Sequence, residues 1–235
     1  FQFAGYYMAK EKGFYEKKGI DVDINEFKNG VDYSTAVSSG ETEFAVGRSS
    51  LILDKLDGKP IVMLAAIFQH SPVILLSKKR PDIKTLSDLK NKRLMMTEDQ
   101  IGLASITSML ISSGIKEGMY EQQQHTFNVQ DLIDGKTDSM IAYISNEPFT
   151  LSQKNIEYTA FSPRDYGFDL YSDILFTSEK LIKEKPELVE NFRKASLEGW
   201  SYAMEHIDET VDLILKKYNT QNKDKNALLF EAKAM

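Results

Sequence analysis

Helical and strand-like patterns of apolar residues take turns along this chain. Residues 3–12 carry small and aromatic side chains at helical spacing, followed by a Gly13–Phe14–Tyr15 break and a stop at Gly19. Residues 22–26 alternate apolar and polar, as a half-buried strand does. Asp32 is placed to cap a short helix that runs to Ser39 and ends at Gly40. Residues 44–47 read as a brief buried strand, and Ser49 as the N-cap of a helix ending near Asp57–Gly58. The continuous apolar run at 61–68 has the signature of a central parallel strand, and 73–77 reads as another strand.

The middle of the chain repeats this grammar. The pattern predicts a helical turn at 87–89, a strand at 93–97, and a helix at 101–113 closed by Gly114. It then predicts a helix at 129–133 closed by Gly135, a strand at 139–143, a helix at 147–154 and a strand at 156–161. The last part is mainly helical after a strand at 174–177. Pro186 sits where a first helical position favours it, and Leu188, Phe192, Ala195 and Gly199 recur at helical spacing. Further helices follow at 208–218 and from 226 onward. Strands alternating with helices imply an α/β fold with largely parallel sheets.

Composition narrows the function. The 235 residues, 42% of them hydrophobic, are enough for two lobes. A net charge of −6 without a basic stripe argues against a nucleic-acid partner. The absence of cysteine excludes disulfides, thiolate nucleophiles and cysteine-held metals, and fits a periplasmic protein. No apolar run is long enough to cross a bilayer, and no signal peptide is visible. Both ends read as cut, so the chain is expected to be a fragment of a longer protein. There is no phosphate loop with its lysine, no His-Glu-x-x-His pattern and no Gly-x-Ser-x-Gly elbow.

Five blocks carry a resemblance when taken together in order: FQFAGYYMAKEKGFY at 1–15, AVSSGETEFAVGRSS at 36–50, AAIFQHSP at 65–72, DLIDGKTDSMIAYISNEPF at 131–149 and DYGFDLYSDILFTSE at 165–179. The chain resembles type II periplasmic solute-binding proteins. Within them it is similar to the branch that binds pyrimidine precursors of thiamine, in the form that serves as sensor domain of membrane signalling proteins. The resemblance implies a two-lobe fold with a ligand cleft between the lobes. Lobe 1 is then expected to hold 1–76 and 174–235, and lobe 2 to hold 79–171. It further implies a periplasmic or extracytoplasmic domain that closes on a pyrimidine and signals through an attached histidine kinase or cyclic-di-GMP enzyme. A free-standing component of an ABC transporter, docking to a permease and binding a pyrimidine or a sulfonate, is the first alternative. A pyrimidine synthase using pyridoxal phosphate, as the fungal relatives do, is the second. The missing cysteines argue against it, so neither catalysis nor a cofactor is expected.

The candidate ligand-binding residues follow the strand ends. Tyr6 or Tyr7 offers a flat surface on which a heteroaromatic ring can stack, or else packs on its lobe. Gly5 suits a close approach of backbone to ligand. Arg48, Ser49 and Ser50 can bind an anionic or carbonyl oxygen, or merely cap a helix and pair with a surface acid. Gln69 can both donate and accept. His70 occupies the position that takes part in chemistry in the fungal relatives, and is read here as a binding or structural residue. His125 and His206 are read as structural. Tyr143, Asn146 and Glu147 follow a strand, where Glu147 either accepts from an exocyclic amine or caps the helix. Tyr166, Asp169, Tyr171 and Asp173 form either a cleft wall or a polar hinge loop. The run Lys78–Lys79–Arg80 reads as a solvated lobe edge.

Overall fold

A computed structural model describes residues 1–28, 30–97 and 104–235. The chain divides into two compact units, Phe1–Ile67 with Asp173–Met235, and Phe68–Ser172. The first begins with α1 (Ala4–Glu11), α2 (Tyr33–Ser39), β1 (Phe44–Gly47), α3 (Leu51–Leu56) and β2 (Ile61–Phe68). The second carries β3 (Val73–Lys78), β4 (Arg93–Met96), α4 (Ala104–Ser112), β5 (Glu121–Gln124), α5 (Val129–Ile133), β6 (Ser139–Tyr143), α6 (Glu147–Gln153) and β7 (Tyr158–Phe161). The chain returns through β8 (Ser172–Ser178) and finishes with α7 (Glu179–Glu184), α8 (Pro186–Glu205), α9 (Ile207–Lys217) and α10 (Lys225–Ala234).

In the first unit α1 lies against α8, and two glycines set how closely. A Cβ on Gly199 would fall 2.1 Å from the Gly5 carbonyl oxygen, and one on Gly5 only 2.2 Å from the Trp200 ring. Gly5 does permit a close approach, but the neighbour is a helix rather than a ligand. Beside this crossing, Phe192 is stacked at 3.8 Å from Phe44 and 5.0 Å from Tyr15. The Tyr15 hydroxyl, 2.8 Å from Ser196 Oγ, meets its hydrogen-bonding need inside the core. α8 starts at Pro186, which lacks the N–H that a first helical turn leaves unpaired. Asp32 caps α2 by accepting from the Thr35 N–H at 3.1 Å, and Gly40 ends it in the left-handed region at φ 83°.

The three-stranded sheet of this unit has the order β1-β8-β2, with β1 antiparallel to β8 from Phe44↔Thr177 to Gly47↔Ile174. The run 61–68 was expected at the centre of a sheet. Among the described residues β2 lies at the end of the order, and most of it is only half-buried. Residues 22–26 keep the side-chain alternation, Val22 and Ile24 half-buried against the core and Asp21 and Asp23 exposed, yet they form no strand. The Val22 carbonyl accepts from Lys10 Nζ at 2.7 Å rather than from a ladder.

The second unit is built on a five-stranded sheet of order β5-β4-β6-β3-β7. β4 runs parallel to β5 and β6, whereas β3 is antiparallel to β6 and β7. This sheet is therefore mixed rather than largely parallel, and β1–β8 of the other sheet is antiparallel. Both faces are covered. Leu75, Leu94 and Ile141 point to one core with Ile106 and Met109, while Ile74, Leu76, Met95 and Met140 point to another with Leu132 and Leu151. A strand buried on both faces reads as an unbroken apolar run, as β3 does. Its pairing moves the unit boundary: residues 68–76, expected in the first lobe, belong to the second unit because β3 pairs with β6 and β7. β5, with the sequence Glu-Gln-Gln-Gln, gave no sequence signal because it is a polar edge strand. The start of the expected helix at 101–113 lies outside the described residues.

The Lys78–Lys79–Arg80 run lies at a surface edge, Lys79 exposed and Lys78 and Arg80 half-buried, with each side chain paired. Lys78 donates to the Ile133 carbonyl at 2.7 Å, Lys79 pairs with Glu157, and Arg80 pairs with Asp82 and Asp138. Burial alone would raise the Asp138 carboxyl. Hydrogen bonds from the Arg93 side chain and backbone and from Arg80 outweigh it and hold the group at about 2.

Candidate functional site

The α1–α8 crossing forms an aromatic corner with polar atoms inside it. Tyr6 is 6% exposed and Trp200 7%, and their rings meet edge to face at 6.0 Å. Neither the Tyr6 hydroxyl nor the Trp200 indole N–H has a hydrogen-bond partner among the described residues. Burial, reinforced by the charges of Tyr15 and Asp173, pushes the Tyr6 phenol far above its ordinary value. The indole N–H opposes part of that rise by proximity, without reaching hydrogen-bond geometry. Tyr6 thus remains a neutral hydroxyl at any physiological pH.

Asp173 completes the corner at the start of β8. It is 4% exposed and has φ 47°, in the left-handed region that a non-glycine residue seldom occupies. Its Oδ2 accepts from Gln2 Nε2 at 2.8 Å. Gln2, Tyr6, Asp173 and Trp200 all belong to the first unit. The arrangement offers a buried carboxylate, a neutral hydroxyl and an indole donor beside two aromatic rings.

The other first-unit candidates are placed differently. Tyr7 stacks on Tyr218 at 4.1 Å, so one face of its ring is already covered. Arg48, Ser49 and Ser50 form the half-buried turn between β1 and α3. The helix starts one residue later than expected: Ser50, not Ser49, is at the N-cap position, and its side chain makes no capping bond. The Leu51, Ile52 and Leu53 N–H groups go to the Arg48, Ser49 and Ser50 carbonyls, which leaves those donors unavailable to an anion.

In the second unit Gln69 and His70 are exposed, just after β2. His70 Nδ1 donates to Asp169 Oδ2 at 2.7 Å, and Arg164 lies 3.7 Å from the same oxygen. Tyr143, Asn146 and Glu147 do come together, as a local turn. Glu147 Oε2 accepts from the Tyr143 N–H at 2.8 Å, and Oε1 accepts from Asn146 Nδ2 at 3.0 Å. Both Glu147 oxygens are thus engaged within the turn, although neither partner is an N–H of α6 and no side-chain bond caps that helix. Tyr166 and Tyr171 are exposed, Tyr171 at 56%. His125 donates through Nε2 to the Ile141 carbonyl and accepts the Phe127 N–H at Nδ1, while His206 stacks on Tyr202. Among the described residues no group of three His, Cys, Asp or Glu could hold a metal ion, and no helix is long and apolar enough to cross a membrane.

Sequence reasoning missed Gln2 and Trp200. Trp200 had a signal: it is the chain's single tryptophan and follows Gly199 in a helical pattern. Gln2 had none, because its partner lies 171 residues away.

Known proteins support the fold and the lineage. The chain is 29% identical over 222 residues to the riboflavin-binding protein RibY of Chloroflexus aurantiacus, covering 92% of this chain and 62% of that protein. It is 25% identical over 224 residues to a formylaminopyrimidine-binding protein of Halalkalibacterium halodurans, covering 92% and 67%. A 4-amino-5-hydroxymethyl-2-methylpyrimidine phosphate synthase of Legionella pneumophila is 25% identical over 213 residues, covering 88% and 67%. The chain thus spans about two thirds of the length of these relatives. Among solved structures, the alkanesulfonate-binding protein SsuA of Xanthomonas axonopodis pv. citri, bound to MOPS, superposes with a TM-score of 0.76 at 11% identity, over 98% of this chain and 80% of that one. That likeness establishes the two-unit α/β architecture of periplasmic binding proteins. The model of the NMT1/THI5 like family matches residues 1–210, and the chain belongs to that family.

Proposed function

We propose that this chain is the ligand-binding part of an extracytoplasmic solute-binding protein and that its ligand is a small, flat nitrogen heterocycle of the aminopyrimidine type. The observation that carries this reading is the pair of buried, unpartnered polar atoms, Tyr6 OH and Trp200 Nε1, in one aromatic corner. Buried polar atoms are nearly always satisfied, so two orphans side by side call for an outside partner. Aromatic walls with a few convergent polar groups are the ordinary make-up of a small-molecule site. The names of the Chloroflexus and Halalkalibacterium relatives, which bind a flavin and a formylaminopyrimidine, support a nitrogen heterocycle.

The reading favours a binder over an enzyme. The Legionella relative carries a synthase name, but no cysteine is available here and His70 faces Asp169. Its resemblance to sensor domains favours a role ahead of a histidine kinase or cyclic-di-GMP enzyme. A carrier that docks to a permease would use the same binding chemistry, and the full gene separates the two. A thermal-shift screen tests the ligand class, because a ligand that binds only the native state raises the melting temperature by mass action. Hydroxymethyl-, aminomethyl- and formylaminomethyl-pyrimidines are expected to shift it. A shift with pyridoxal phosphate or with alkanesulfonates alone would overturn the proposal.

A further inference from the structure

We propose that the second unit carries a site for a small phosphate-type oxyanion, in the open cavity where β3 ends and β7 begins. The inference goes beyond the Tyr6–Trp200 corner and does not depend on it. The cavity has a volume of about 550 Å³ and is lined by Lys78, Lys79, Arg80, Asn155, Ile156 and Glu157. Lys78 pairs with Tyr158 in the antiparallel ladder of β3 and β7, and the Lys79 N–H donates to the Glu157 carbonyl at 2.8 Å. The backbone thus brings the two runs to one edge.

Two observations support the site. The first is charge. Lys78, Lys79 and Arg80, with Lys92 and Arg93 joined through shared carboxylates, form ion pairs with Asp82, Asp138 and Glu157. Five cations against three carboxylates leave an excess of two positive charges in this network, on a chain whose net charge is −6. A concave surface dominated by one sign raises the local concentration of its counter-ion. The second is the supply of donors. Arg80 is held by two carboxylates and serves the network. Lys78 Nζ uses one of its three N–H donors, on the Ile133 carbonyl at 2.7 Å. The Asn155 side-chain amide has no hydrogen-bond partner among the described residues, and its backbone is fixed at φ 56°, the left-handed position that follows the end of α6. Glu157, the one acid in the lining, is paired with Lys79 at 3.2 Å. An oxyanion accepts at several oxygens and can satisfy the ammonium and amide donors together.

The test is NMR titration of the isotope-labelled protein with sodium phosphate and with glycerol phosphate, with sodium chloride holding the ionic strength fixed. Saturable shifts are expected at the amides of 78–80 and 155–157. Tighter binding of the ester would identify an organic phosphate whose carbon body lies on Ile156; equal binding would identify the free ion. Lys78→Met is expected to weaken binding about tenfold, the value of one hydrogen bond to a charged group. Asn155→Gly keeps the left-handed backbone and removes the amide, and is expected to weaken binding about threefold with little change in melting temperature. Shifts that grow without saturation, or that appear at lysines across the surface, would mark an adventitious ion only and overturn the inference. Unchanged affinity in either variant would do the same. Aminopyrimidine binding is expected to be untouched by both substitutions, so this inference and the reading of the corner fail separately.

Discussion

In residue type, the Tyr6 corner of the first unit resembles the Glu147 turn of the other unit. Each joins tyrosine to a carboxylate near a strand end. They differ in where the polar atoms finish. At the turn, both oxygens of Glu147 meet donors from within four residues, the Tyr143 N–H and Asn146 Nδ2. In the corner, the Tyr6 hydroxyl and the Trp200 N–H are buried without a partner among the described residues. A satisfied group stabilises its own fold, whereas an orphaned one costs stability until something outside supplies the missing bond. Residue type does not separate the two cases; hydrogen-bond accounting does.

That comparison can be broken or sharpened by substitution. The largest effect is expected at the crossing that creates the corner. Gly199→Ala puts a methyl group into the Gly5 carbonyl and Ala9, and is expected to cost about 3 kcal/mol in chemical denaturation. A loss well under 1 kcal/mol would mean the two helices separate easily. The next effect belongs to the satisfied side. Asp138 is held at about 2, below its unfolded value of 3.8, so its contribution is fully present above about pH 4 and is lost as pH falls through 2. Denaturation curves are expected to lose about 2 kcal/mol across that interval, and Asp138→Asn to flatten it. The smallest effect is at the turn. Glu147→Gln leaves one of two donors facing an amide NH2 and is expected to cost about 1 kcal/mol with no change in ligand preference. A selective loss of aminated ligands would restore Glu147 to the site.

Much of the fold was legible because its elements carry their own signals. The helix at 129–133 and the strand at 139–143 match α5 and β6, with Gly135 closing the first and apolar continuity marking the other. Tertiary pairing was less legible. Nothing in Val73–Lys78 indicates that its partners are β6 and β7, and nothing in 22–26 indicates that its alternation goes without a ladder. The four-residue β5 escaped because an exposed edge needs no apolar face. At the site, Tyr6 and Asp173 were candidates by type and position, but sequence did not distinguish Tyr6 in an aromatic corner from Tyr7 stacked on Tyr218. Gln2 and Trp200 join them only through contacts far apart in the chain.

The most direct test of the central claim is Tyr6→Phe with two readouts, unfolding free energy and calorimetric affinity for 4-amino-5-hydroxymethyl-2-methylpyrimidine. The substitution removes only the orphaned hydroxyl. Stability is expected to stay level or rise by up to about 1 kcal/mol, while affinity falls about tenfold. A loss of stability with unchanged affinity would contradict the account, because the hydroxyl would then serve the fold rather than a ligand.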